Sequence, residues 1–269
     1  MKTPNIDLLS LFFCFLLIAI PLAVSVRLKL GIVKRMLIAV VRMGIQLTLV
    51  GFFLQYLFDW DNVFLTVGWL LMMIGMAAYT VTRDTSLRVR AFLLPVSASL
   101  GTATLFMLFY FNLAIIDTAD LLEARYAIAI GGMLLGNSLR GGIIGIRNFY
   151  EVVRREHNCY SYHLALGATR IEACRPYLKN ALRTALLPAI ATMSTMGLVF
   201  LPGMMTGQIL GGTQPMLAIK YQIAIMLAIF SCTTIGVGLS ILGTMHKAFD
   251  DFGMLHPELV GGKSGGHGG

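Results

Sequence analysis

The residues with most chemical potential lie in one run, Pro202-Gly203-Met204-Met205-Thr206-Gly207-Gln208, which continues through Gly211 and Gly212. Met204 and Met205 offer soft sulfur ligands suited to a metal cation, and Thr206 and Gln208 add neutral oxygen. Pro202 lacks a backbone donor, while Gly203, Gly207 and Gly211 recur every four residues. Such a segment is either a broken helix whose freed carbonyls line a path, or a helix with one smooth face for close packing, as at a dimer interface. A second group, Glu156-His157-Asn158-Cys159 with His163, carries metal-ligand side chains. Its spacing alone is weak evidence for a metal, and ordinary polar groups on a cytoplasmic surface are the favoured reading.

Catalysis and cofactor binding find little support. The sequence has no His-Glu-x-x-His and no aspartate cluster for Mg²⁺, and Asp250-Asp251 reads as a solvated pair. Gly262-Lys263-Ser264 imitates the end of a phosphate-binding loop, but Pro257 stands where the first glycine is required and no helix can follow. The chain is therefore expected to be no enzyme by itself and to bind no cofactor. Cys14, Cys159, Cys174 and Cys232 show no Cys-x-x-Cys spacing, so no disulfide framework is expected.

The elements that carry these residues follow from composition. The chain has 269 residues, 57% of them hydrophobic and 13% charged, with a mean hydropathy of +0.78. A soluble domain is about one-quarter charged, so the expected fold is an all-α, polytopic membrane protein whose helices meet lipid. Runs of about 20 apolar residues cross the ~30 Å hydrocarbon core. Seven such spans are predicted, over residues 8–26, 36–58, 63–81, 91–111, 126–146, 181–201 and 221–242. Residues 1–250 form one transmembrane domain, and the glycine-rich 251–269 are expected to be a disordered cytoplasmic tail.

Charge sets orientation, because short loops rich in Lys and Arg stay cytoplasmic. Arg27, Lys29, Lys34 and Arg35 follow the first span, Arg83, Arg88 and Arg90 the third, and a longer basic group from Arg147 to Lys179 the fifth. Asp59, Asp61, Asp117, Asp120 and Glu123 occupy the opposite loops. The amino terminus is then outside, as part of a retained anchor rather than a cleaved signal, and the carboxyl terminus is inside. This distribution also accounts for the net charge of +8 without nucleic acid. Arg42 lies close enough to its helix end to snorkel. Arg140 faces either a wet cavity or a cytoplasmic extension of its helix.

No carboxylate lies inside the spans as drawn, so a proton-driven carrier is disfavoured and the energy source is expected on a partner. The long cytoplasmic segment 147–180 is the natural docking site. Within it Tyr162, Leu164, Ala165, Leu166, Gly167 and Ala168 read as the end of a short amphipathic helix, with Gly167 taking a left-handed conformation that turns the chain. The pattern resembles the coupling helix and Leu-Gly-Ala turn that ABC permeases present to their ATPase.

A wider resemblance covers roughly residues 130–250. Gly132-Met133-Leu134-Leu135-Gly136-Asn137-Ser138, the Leu-Gly-Ala turn, Arg175-Pro176 and the whole Gly197 to Gly212 stretch are similar to the FetB-type family of ABC permeases, proposed iron exporters whose plant relatives are linked to aluminium tolerance. The resemblance implies a permease half-transporter in the bacterial inner membrane. It would pair with a second copy and with a separate ABC ATPase that binds ATP and Mg²⁺, and would move a metal cation, iron first. It also implies a substrate path near Asn137 and the 202–208 run. Another small solute as cargo, or a membrane scaffold for the ATPase, are the rival readings.

The charge pattern yields a direct test: cysteines introduced near Asp61 and Thr118 should label from outside, and those near Leu30, Ser86 and His157 only from inside. Reversed labelling at two of these positions overturns the orientation.

Overall fold

The computed structural model describes residues 8–60, 62–113, 124–250, 253–256 and 259. Asp61, the acidic positions 117, 120 and 123, Asp251 and the Gly262-Lys263-Ser264 decoy lie outside the described residues. The described chain is helical: α1 (Leu8–Leu16), α2 (Ala19–Arg27), α3 (Val33–Trp60), α4 (Val63–Asp84), α5 (Val89–Phe111), α6 (Ala124–Arg155), α7 (His157–Ala165), α8 (Arg170–Thr195), α9 (Gly203–Leu210) and α10 (Pro215–Ala248). Among the described residues, extended pairing is confined to two isolated bridges, Met196 with Phe200 and Phe249 with Leu255.

Five helices are long and apolar enough to cross a membrane: α3, α4, α5, α6 and α10. The seven spans expected from sequence therefore need two corrections. The first span is not continuous, because the chain leaves helical geometry at Leu17 and Ile18 and becomes two nine-residue helices. The sixth was drawn as 181–201, but α8 starts earlier, in the charged stretch from Arg170, and ends at Thr195. Its apolar part is too short for a full span on its own, and it carries Arg183, exposed on the surface. A hydropathy window sees an apolar run and is blind to the break inside it. Met196 turns to ψ 135, Gly197 takes φ +84, and its N–H bonds the Phe200 carbonyl at 3.0 Å.

The breaks around α9 are built from residues that stop and start helices. Pro202 caps α9, where its missing N–H is not needed. At the other end Gly212 takes φ +97, with Gly212 N–H donating to Ile209 and Thr213 N–H to Gln208. This left-handed terminus satisfies the last carbonyls. Pro215 then opens α10.

α10 is the central helix, packed on α5, α6 and α8, while α4 packs on α5 and α6. Lipid is as apolar as Leu, so what holds such helices together is close van der Waals contact made possible by small residues. Gly141 and Gly145 of α6 supply it. A Cβ at Gly141 would stand 2.5 Å from Thr233 Cγ2, and one at Gly145 would stand 2.5 Å from Val237 Cγ1 and 3.3 Å from Ala185 Cβ. α6 thus meets α10 and α8 along one glycine face. Where α5, α6 and α10 meet, Ser138 Oγ donates to Cys232 Sγ at 3.4 Å, and Thr104 Oγ1 lies 3.8 Å from the same sulfur.

α3 behaves differently: its apolar window has no buried residue. Leu37, Ile38, Val41, Leu47 and Phe52 are all exposed, as expected of a helix whose surroundings are lipid. Near its end it joins the bundle through Leu57, buried beside Ala124 and Ile128, and through Phe53 stacked on Trp69 at 4.3 Å.

The packed chain also continues past α10. Tyr160 of α7 donates to the Gly253 carbonyl at 2.7 Å, Arg88 N–H donates to Leu259 O at 3.1 Å, and Leu255 and Leu259 join the core. The tail expected to be disordered from 251 is instead held down at 253–256 and at 259. Apolar Leu255 and Leu259 gain burial there, and composition alone could not foresee that contact.

The glycine face makes a sharp prediction. Gly145→Ala should lower the thermal unfolding midpoint in detergent, since overpacking costs about 1–3 kcal/mol. Adding Val237→Ala should restore part of it. Gly68→Ala, with open space around the added Cβ, should be neutral or stabilising because Ala is the better helix former.

Candidate functional site

The turn after α7 is a stop and a start made of adjacent residues. Gly167 has φ +89 and open space where a Cβ would stand. Its N–H donates to Leu164 O at 2.9 Å, and Ala168 N–H donates to His163 O at 3.1 Å, closing the helix end. α8 begins two residues later behind a reciprocal cap. Glu172 N–H donates to Thr169 Oγ1 at 3.3 Å, while the Glu172 carboxylate accepts from Thr169 N–H at 2.8 Å and from its hydroxyl at 2.7 Å. The Thr169 side chain, and next the Thr169 backbone N–H, hold the Glu172 carboxyl below its ordinary value. That Thr-x-x-Glu signature is present in the sequence and was missed; a search for helix starts would have found it.

Of the six residues expected on the docking face, Tyr162, Ala165, Leu166 and Gly167 are exposed. Leu164 and Ala168 turn inward and pack on the core. Tyr162 and Leu166 are 64% and 69% exposed, and Ile171 extends the same apolar surface at 64%. Exposed apolar residues grouped in this way mark a surface that a partner or lipid could cover.

Beneath this surface the scaffold is rigid. Tyr160 is fully buried between Tyr177, at 6.4 Å, and Phe249, at 5.6 Å. Burial raises the Tyr160 hydroxyl well above its ordinary value and pushes the Cys174 thiol up to about 11. Tyr177 rises to about 12, first through burial and then through Cys159. The cluster stays neutral at physiological pH. Cys159 and His163 come within 3.8 Å on α7, but Glu156 pairs with Arg155 instead. Among the described residues no three of His, Cys, Asp and Glu gather as a metal site, so Glu156, His157, Cys159 and His163 are not brought together as a ligand group.

At the far end of α8 the second candidate region opens, a cavity of about 420 Å³ between the end of α8, the 196–202 break, α9 and α10. Pro202 and Met205 line it, joined by Met193, Met196, Met226 and Gln222. Met204, expected as a ligand beside Met205, turns away and packs on the α5–α6–α10 core. Adjacent positions on a helix point about 100° apart, and here only Met205 of the pair lines the cavity. Thr206 bonds back to the Pro202 carbonyl at 3.0 Å. Asn137 donates to Met133 O at 2.8 Å on its own helix and does not line the cavity. Gln208 is half-buried on α9, also outside it. Met193, Met196 and Met226 were missed, being distant in sequence from the 202–208 run. Gly203 and Gly207 have open space around an added Cβ, so the stripe on α9 is no packing seam within one chain. Arg140 is exposed on α6, whose helix continues to Arg155.

A larger cavity of about 740 Å³ lies on another side of α10, against α5. It is lined by Phe106, Tyr110 and Phe111, and Lys220 is its one charged residue.

An all-helical bundle with apolar spans, lipid-facing surfaces and a structured polar face at one end defines a multi-pass membrane protein. The chain matches UPF0014, described as an uncharacterised protein family, over residues 8–249, and belongs to it. It is 29% identical to the probable iron export permease protein FetB of Escherichia coli, over 93% of this chain and 95% of that one. It is 31% identical to the UPF0014 membrane protein YjkA of Bacillus subtilis, over 82% of this chain and 86% of YjkA. With Protein ALUMINUM SENSITIVE 3 of Arabidopsis thaliana it shares 32% identity, over 81% and 78%. No solved structure matches it. The two bacterial relatives carry permease and membrane-protein names, not enzyme names.

Two outcomes follow from the α7 end of the bundle. At neutral pH a maleimide should modify exposed Cys159 and spare buried, protonated Cys174 in the native protein, as peptide mapping would show. Because the Cys174 pKa is raised on folding, its contribution to stability is complete below the ordinary value of 9.0 and is lost as pH climbs through about 11. Unfolding midpoints should therefore fall across that alkaline window, and less so in Cys174→Ala.

Proposed function

We propose that this chain is the membrane subunit of an ATP-driven ABC transporter that moves a metal cation, with iron export the first case to test. The observation that carries this reading is the α7 turn: a short helix closed by Gly167, restarted by the Thr169 and Glu172 cap, braced from below by Tyr160 and topped by exposed Tyr162 and Leu166. A rigid support under an apolar exposed surface suits docking of a separate ATPase that holds ATP and Mg²⁺. The full-length likeness to a probable iron export permease supports metal as cargo. In this reading the protein sits in a bacterial inner membrane, amino terminus outside and carboxyl terminus in the cytoplasm. It works as a homodimer, the open glycine face of α9 being available to the second copy.

The energetic logic is simple. The spans drawn from sequence hold no carboxylate for a proton relay, and in this reading hydrolysis on the partner is transmitted through α7. α6 runs straight into α7, and the segment after α10 is tied to α7 by Tyr160. A displacement at the docking face would reach both central helices.

Proteoliposomes holding this chain and its ATPase should show ATP-dependent metal movement and metal-stimulated hydrolysis; hydrolysis without movement of any metal or small solute would make the chain a scaffold. Gly167→Val should insert normally yet uncouple hydrolysis from transport, since a left-handed β-branched residue costs roughly 1–2 kcal/mol. Normal transport in that variant would remove the docking assignment. Gly207→Leu has room within one chain, so it should leave the monomer stable and abolish the dimer; an intact dimer would move the interface elsewhere.

A further inference from the structure

The 420 Å³ cavity has an unusual wall. Methionine makes up 16 of the 269 residues, yet four of the eleven residues lining this space are methionines: Met193, Met196, Met205 and Met226. Random sampling of the composition would place about one methionine there or fewer, so gap-filling alone does not account for four. They arrive from four segments: the last turn of α8, the residue that ends it, α9 and α10. Met193 and Met196 are three apart, and Gln222 and Met226 four apart, spacings that put each pair on one helical face. Gln222 is buried to 7% exposure and brings a neutral amide to the same wall. Among the described residues, no Asp, Glu, His, Cys, Lys or Arg lines the cavity.

From this wall we infer that the cavity is a binding site for a soft monovalent cation of the Cu(I) and Ag(I) class, held by thioether sulfurs. Two physical arguments select that class. Thioethers are soft donors that favour Cu(I), whereas hard or borderline divalent ions prefer carboxylate and imidazole, and neither is present. The desolvation cost of an ion in a low-dielectric site grows with the square of its charge, so an uncharged ligand shell tolerates a single positive charge far better than a double one. Methionine's three rotatable bonds let each sulfur swing toward a central ion while its carbon chain stays in apolar packing.

Binding at this site stands apart from the transport reading; only its role as a cargo site rests on the proposed function. The 198–201 loop beside the cavity is exposed, with Leu198 90% exposed.

The test uses the full-length protein in detergent with Cys14→Ser and Cys159→Ser, which removes the exposed thiols that would capture soft metal first. Ag(I) serves as a redox-stable probe in calorimetric titration. Replacing Met193, Met196, Met205 and Met226 by leucine conserves volume and deletes all four sulfurs. The expected result is one Ag(I) equivalent lost on replacement, at least a tenfold drop in affinity, and Ag(I) retained against equimolar Fe(II) or Zn(II). Unchanged Ag(I) stoichiometry and affinity in the leucine variant, or displacement by equimolar Fe(II), overturns the site. Should the fourfold variant not remain monodisperse, Met193→Leu with Met226→Leu gives the same reading, with at least a tenfold loss of affinity expected and none overturning the site. Vesicle transport with the ATPase separates the two proposals. Ag(I) binding without ATP-driven movement of any substrate leaves the site and removes the permease reading. ATP-driven iron movement with Ag(I) binding insensitive to the methionines does the reverse.

Discussion

The close approach of α6 to α10 is the contact on which the rest of the molecule depends. In lipid, apolar side chains gain nothing by leaving their surroundings for one another, so helices associate where backbones come near enough for dense contact. Gly141 and Gly145 leave the space that Thr233 Cγ2 and Val237 Cγ1 occupy, and Ala185 of α8 closes on the same face. Each of the three helices leads to a functional feature. α6 continues into α7, α8 starts from the cap beside Gly167 and ends at the methionine cavity, and α10 lines that cavity and leads to the segment that Tyr160 holds. One methyl group added at Gly145 would disturb all of them.

The second theme is where the backbone is allowed to break. An unpaired backbone group in hydrocarbon costs several kcal/mol, and the breaks obey that limit. The α8–α9 break pairs Gly197 with Phe200 and opens onto a cavity, and the α9–α10 break closes its own carbonyls through Gly212 and Thr213. Several polar side chains inside the helices follow the same rule, whereas the buried hydroxyls of Thr233 and Ser240 find no partner. Thr80, Thr82, Thr192, Ser194, Thr206 and Thr234 each return a hydroxyl hydrogen bond to a carbonyl four residues back. They therefore present little unsatisfied polarity to lipid or to the core.

The end of the bundle that carries α7 is organised differently, with a capped turn and exposed apolar side chains outside and aromatic packing beneath. Tyr160 connects the two, donating to Gly253 while its ring packs among Tyr177 and Phe249. Gly253 takes φ +79, and a Cβ there would meet Leu164 Cδ1 at 3.0 Å. A glycine is needed at that position both for its conformation and for the approach to α7.

Much of this architecture is written locally in the chain. Long apolar runs dictate membrane helices, basic loops dictate the expected orientation, and Leu166-Gly167-Ala168 dictates a left-handed turn, because each depends only on neighbours in sequence. The span limits at 8–26 and 181–201 failed because a window averages hydropathy and cannot register backbone angles. Tertiary structure alone decided which methionines share a cavity, pairing Met205 with Met193, Met196 and Met226 and turning Met204 into the core. It also decided that Gly141 and Gly145, not the α9 stripe of Gly203, Gly207 and Gly211, form the packed glycine face of the chain. The physical reason is that a helix made for lipid is apolar on every side. Its sequence carries no polar face to mark the outside, and only the three-dimensional approach of distant segments chooses which side becomes interior.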